Sequence, residues 1–175
     1  MAVQRVLVAV VKVLPPVRKF FYILGCVLLF EACTAYSTYD EMASAMCQGR
    51  ATDIQWNAWD EDAILVDVRS EDEFNVSHLA GALHCPWRGG ELVGHEHLPT
   101  DRTIVLYCSV GKRSERAAEF LLDVGYTKVY NLYGGLFQSF NASQAIDQNQ
   151  QVMQRIHGYS ARWGKWITRG EVVYE

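Results

Sequence analysis

The chain has 175 residues, half of them hydrophobic, which is enough for one sizeable core and too few for several domains. Sixteen Lys and Arg face twenty Asp and Glu, a formal net charge of −4. Four of the bases and one of the acids lie in the first 35 residues, so residues 36–175 hold twelve bases against nineteen acids, net −7, a sign that disfavours nucleic acid as a partner.

Residues 1–35 carry Arg5, Lys12, Arg18 and Lys19 but no acid before Glu31, and Phe20 to Phe30 is an uncharged apolar run. Its length suits the hydrophobic region of an export signal and falls short of the ~20 residues a membrane span needs. Export is expected, to a bacterial periplasm or to a membrane surface facing it. Cys33-Thr34-Ala35 offers small residues for cleavage after Ala35, while Cys26 and Cys33 are candidates for lipidation. An uncleaved anchor that also uses Val6 to Leu14 would be interrupted by Lys12, Pro15, Pro16, Arg18 and Lys19. This divides the chain into a targeting segment, 1–35, a main domain, 36–142, and a helical, aromatic-containing extension, 143–175.

Beyond the targeting segment, the pattern predicts a helix over Tyr39 to Gln48, a strand over Ala63 to Val68 and a helix over Glu71 to Val76. A strand from Thr103 to Tyr107 leads into a helix from Ser114 to Val124, with Ser114 as its cap and Gly125 as its C′ residue. A strand over Lys128 to Leu132 follows, and the polar stretch Ser143 to Ile156 is expected to be helical. Buried β-branched runs separated by helices argue for an α/β fold of three layers, a central mostly parallel sheet with helices on both faces. In such sheets ligands sit at the carboxyl ends of the strands, where Cys108 falls.

Cys108 opens the loop Cys108-Ser109-Val110-Gly111-Lys112-Arg113, followed by Ser114. The helix N-terminus and two cationic side chains favour the anionic form of a thiol there, and Gly111 supplies the positive φ that lets the loop curl. The loop N–H groups can converge on whatever sits on the sulfur. Asp67 and Arg69 are expected to pair with neighbours and brace the loop. His78 reads as a structural residue bonding backbone through its ring. His95 and His97, without a further ligand cluster, read as part of a solvated loop, so no metal is expected. Cys47 and Cys85 are either buried thiols or, in an oxidising compartment, a disulfide. Trp163, Trp166 and Tyr174 either fold back on the core or form a partner surface.

From about Asp53 to Phe140 the chain resembles the rhodanese (sulfurtransferase) family. Ile64-Leu65-Val66-Asp67-Val68-Arg69 is similar to that family's first core strand, and Glu73, His78, Leu79, Gly81, Ala82 and Pro86 to the helix and turn after it. The six-residue Cys108 to Arg113 loop has the sulfurtransferase length, one residue shorter than in related cell-cycle phosphatases. Val129 to Gly135 resembles the last strand and its double-glycine turn. Two positions depart: Ser109 stands where many thiosulfate-using members carry arginine, and Ser139 where a tryptophan is common.

The resemblance implies a sulfur relay. Cys108 would attack the outer sulfur of a small anionic donor such as thiosulfate, with Ser109, Val110, Gly111, Lys112 and Arg113 holding the anion and Asp67, Arg69 and Ser114 in support. The persulfide would pass to cyanide, a thiol or a persulfide-accepting protein, with a reductant partner in an oxidising compartment and no cofactor. A non-turnover persulfide carrier or binding module, and a phosphatase or arsenate-reductase-like enzyme, are the alternatives.

Overall fold

The apolar runs form strands because each is short, β-branched and flanked by turn residues, and parallel pairing then requires helices to cover the faces. The structure, a computed structural model, describes residues 36–174. The expectations for residues 1–35 lie outside that range. Among the described residues no helix is long and apolar enough to cross a membrane.

The chain runs α1 (Tyr39–Met46), β1 (Thr52–Ile54), β2 (Ile64–Asp67), α2 (Glu71–Val76), β3 (Leu83–His84), β4 (Trp87–Arg88), β5 (Glu91–Leu92), a 3₁₀ turn (His95–His97), β6 (Ile104–Tyr107), α3 (Lys112–Asp123), β7 (Val129–Leu132), α4 (Gly135–Asn141), β8 (Arg155–His157), α5 (Ala161–Gly164) and β9 (Glu171–Val173). Five strands form one sheet in the order β1-β7-β6-β2-β3, every neighbouring pair parallel. β4 and β5 make a small hairpin, and β8 and β9 a separate parallel pair. The α/β architecture is therefore the one the sequence predicts.

Alternation along β6 divides the core. Ile104, Leu106 and Cys108 face one side with Ala117, Ala118 and Leu121 of α3. Val105 and Tyr107 face the other with Met42 of α1 and Leu136, Phe137 and Phe140 of α4. All four residues of β6 are buried, as the central strand of a covered parallel sheet should be.

Two expectations change. α3 starts two residues early: Gly111, at φ +99°, is its N-cap, and Ser114 lies inside the first turn, donating its hydroxyl to the Gly111 carbonyl. Ser114 is therefore not the cap, because glycine's access to positive φ lets the helix begin directly from the loop. Residues 143–156 are not a helix. Ser143 and Gln150 adopt positive φ, and Asp147 Oδ1 accepts the N–H groups of Asn149 and Gln151, a local turn that competes with helical bonding. Of the two readings of Cys47 and Cys85, that of free thiols holds among the described residues: Cys85 packs in the α3-side core, and Cys47, half-buried, lies against Asn131.

The tail is built into the α4-side core through Met153 and Ile156, both buried, and Trp163 and Trp166 pack against that cluster. Asn141 ties α4 to the tail by donating to the Trp166 carbonyl at 2.7 Å and accepting the Thr168 N–H at 2.9 Å. Ile156→Ala is expected to lower unfolding free energy by about 2–4 kcal/mol in urea titration, against about 0.5 or less for Val93→Ala at an exposed site. Equal, small effects would show that the tail is an appendage.

Candidate functional site

The site forms where β6 ends. Cys108 is 1% exposed, at the base of the loop that runs into α3, and the Gly111 N–H donates to its Sγ at 3.2 Å. The neighbouring α4 sets the loop's direction. Leu136 N–H donates to the Cys108 carbonyl at 2.8 Å and Phe137 N–H to the Ser109 carbonyl at 3.0 Å. With those carbonyls drawn toward α4, the trans peptide geometry turns the following N–H groups of the loop away from α4. Close approach needs glycine: a Cβ on Gly135 would stand 2.5 Å from the Cys108 carbonyl oxygen, and both Gly134 and Gly135 have positive φ.

α1 supports the same turn. The Tyr39 hydroxyl donates to the Gly134 carbonyl at 2.5 Å, and burial pushes its phenol well above the ordinary range. Cys47, just past α1, sits behind the loop, where a Cβ on Gly111 would be 2.5 Å from its Sγ. Burial first, and then the charge of Asp53, push the Cys47 thiol up to about 11, so it is neutral at ordinary pH. Asn131 Nδ2 donates to Asp53 at 2.7 Å and to Cys47 Sγ at 3.5 Å.

The cations of the 108–113 loop are engaged by carboxylates. Arg113 makes a fork-to-fork pair with Glu73 of α2, Nη1 to Oε2 and Nη2 to Oε1, both 2.7 Å. Ser109 Oγ donates to Glu73 Oε1 at 2.9 Å and accepts from Arg113 Nη2 at 3.0 Å. Lys112 Nζ pairs with Glu115 Oε2 at 3.1 Å. Val110 is buried beside the nucleophile.

Asp67 and Arg69 are both fully buried and pair with each other, Arg69 Nη2 to Asp67 Oδ2 at 2.6 Å. Arg69 Nη2 also donates to the Ser77 carbonyl at 2.6 Å, so the pair's hydrogen bonds fix the turn after α2 rather than the cysteine loop. His78 bonds the Phe74 carbonyl at 2.9 Å through Nδ1 and stacks on the Phe74 ring, the structural arrangement expected. His95 Nδ1 lies 2.9 Å from the Leu92 carbonyl, with its ring edge-on to Phe120.

Two site residues come from the tail and were not legible as such. Tyr159 and Trp163 close a cavity of about 180 Å³ with Cys108, Ser109 and Arg113. Tyr159 has φ +60°, uncommon for a residue with a side chain, and its ring stands 5.0 Å from the Arg113 guanidinium carbon. The aromatic content of the tail was visible in the sequence; which rings reach the loop depends on the β8–β9 pairing, which leaves no spacing signal.

With this geometry in place, similarity to known proteins identifies the chain. Residues 51–142 match the Rhodanese-like domain family, and the chain belongs to that family. It is 38% identical to a sulfurtransferase of Allochromatium vinosum over 76 residues, 43% of this chain and 70% of that protein. It is 30% identical to a tRNA uridine(34) hydroxylase of Pectobacterium carotovorum over 134 residues, 71% of this chain but only 37% of that protein, so it spans about a third of the hydroxylases it matches. Among solved structures, a rhodanese with anions from E. coli aligns at 29% identity with a TM-score of 0.38, covering 41% of this chain and 86% of that one.

Glu73 gives the site a pH signature. Burial alone would raise its pKa, but the hydrogen bonds and charge of Arg113, with Arg69 and the Ser70 N–H, hold it at about 2. A depressed folded-state value means the stabilisation is complete above the ordinary value of 4.5 and is lost as pH falls from there toward 2. The expected loss is on the order of 3 kcal/mol across that window, and Glu73→Gln should remove most of this slope while lowering stability at pH 7. Stability curves measured by denaturant at pH 7, 4 and 3 check this.

Proposed function

We propose that the protein is a rhodanese-type sulfurtransferase that carries sulfane sulfur as a persulfide on Cys108. The observation that carries this reading is the sulfur's position at the start of a six-residue loop, with the Gly111 N–H on it at 3.2 Å and the first turn of α3 beyond. Cys108 thiolate attacks the outer sulfur of a donor; the new S–S bond forms as the donor's own bond to that sulfur breaks, and the electron pair departs with the leaving group. Unbonded N–H groups of the α3 first turn stabilise the charge there. In the second step the acceptor, cyanide or a thiol, attacks the terminal sulfur and returns Cys108 as thiolate.

The six-residue loop, shorter than a ring built for three phosphate oxygens, weighs against a phosphatase. The acidic balance of residues 36–175 supplies no electrostatic basis for RNA binding. The reduced protein exposed to sulfane donors is expected to gain the mass of one sulfur atom, which cyanide removes as thiocyanate; Cys108→Ser gains nothing. Sulfur held on Cys108 but not released to any acceptor would identify a carrier instead, and loading that survives Cys108→Ser would overturn the assignment.

We propose in addition that the chain is exported, a reading supported by the basic, acid-poor and apolar composition of residues 1–35. Mass spectrometry of the protein recovered from a bacterial periplasmic fraction is expected to find Tyr36 as the first residue. An intact terminus in the membrane fraction would point to an anchor.

A further inference from the structure

Among the described residues, the pocket over Cys108 holds no spare positive charge. Its two cationic side chains are matched by two carboxylates: Arg113 by Glu73, whose side chain is 1% exposed, and Lys112 by Glu115, whose side chain is 4% exposed. Glu115 also accepts the Gly49 N–H, and Glu73 also accepts from Ser70 and Ser109, so both carboxylates are fixed in place. Arg113 cannot turn to a ligand without leaving a buried carboxylate uncompensated. The position next to the nucleophile is Ser109, whose hydroxyl is turned to Glu73. The walls are therefore neutral overall, and a Cys108 thiolate makes the occupied site negative.

The mouth has the opposite character. Tyr159 and Trp163 stand over it, and Tyr159 is 53% exposed, an aromatic face held out toward solvent beside the opening. Its ring is held on the Arg113 guanidinium, and its N–H donates to His157 Nδ1 at 3.0 Å. Positive φ at a non-glycine residue is a strain that survives where surrounding structure enforces it, and such residues cluster at binding sites.

We infer that the pocket selects a sulfane donor of low charge with a flat or apolar body, an organic thiosulfonate or persulfide, over a dianion such as thiosulfate, with Tyr159 and Trp163 holding the body and Ser109 withholding the charge a dianion would need. This rests on the sulfur-transfer reading above. For a thiosulfonate the step is balanced: the Cys108 thiolate takes the outer sulfur, the bond between the two donor sulfurs breaks, and a sulfinate monoanion leaves with the electron pair. Loop N–H groups suffice for one negative charge, whereas sulfite would leave with two.

The test uses the full chain, with benzenethiosulfonate and thiosulfate as donors and cyanide as acceptor. Benzenethiosulfonate is expected to give a kcat/KM higher by about tenfold or more, the effect of one extra unmatched charge beside a thiolate. Ser109→Arg should shrink that ratio about tenfold by raising the thiosulfate value. As Ser109 is buried, Tyr159→Ala provides a second readout at a half-exposed position: KM for benzenethiosulfonate should rise several-fold more than KM for thiosulfate. Equal use of both donors, a thiosulfate preference, or a Tyr159→Ala effect common to both overturns the selectivity inference alone. Failure of both donors to load Cys108 overturns the sulfur-transfer reading and this inference with it.

Discussion

One carboxylate holds the site together. Glu73 is the N3 residue of α2, where it closes a capping box by accepting from Ser70 N–H and Ser70 Oγ. The same two oxygens take both arms of Arg113 and the hydroxyl of Ser109. A buried carboxylate is tolerated only with its lone pairs filled, and here they are filled from three separate elements. The start of α2, the cysteine loop and the start of α3 therefore have fixed relative positions, and a change at Glu73 is felt at Cys108 although the two do not bond.

Two helix starts meet at the loop and do different work. α3 begins beyond the sulfur, and the N–H of its N-cap Gly111 donates to Sγ, while α4 begins beside the loop and binds its carbonyls. Gly111, Gly134 and Gly135 all have positive φ, and Cys47 and the Cys108 carbonyl occupy the space that side chains at Gly111 and Gly135 would fill. The loop is shaped by what lies behind it, and its open side is left to the ligand.

Much of this was legible in the residues. Ile104 to Tyr107 and Val129 to Leu132 are apolar and bounded by turn residues, which fixes them as covered strands, and the cysteine loop follows from its glycine and charge. The failures have physical causes. Ser114 looked like a cap because serine favours that role, but Gly111, three residues earlier, offered an earlier start. Residues 143–156 have helix-compatible composition, yet Asp147 satisfies backbone groups locally and Ile146 bridges Val152 instead. Arg113 read as a cation available to the donor anion, since no spacing rule brings Glu73 beside it; only the packing of α2 against the loop does.

The aromatic wall has a consequence for the order in which the site is made. The nucleophile, its loop and Glu73 all precede Tyr159 and Trp163 in the chain, and the tail strands that place those rings pair only after Glu171 to Val173 has been added. During synthesis the cysteine loop can therefore be complete while one side of its pocket is still missing. Until those strands pair, the nucleophile is in place and its aromatic cover is not.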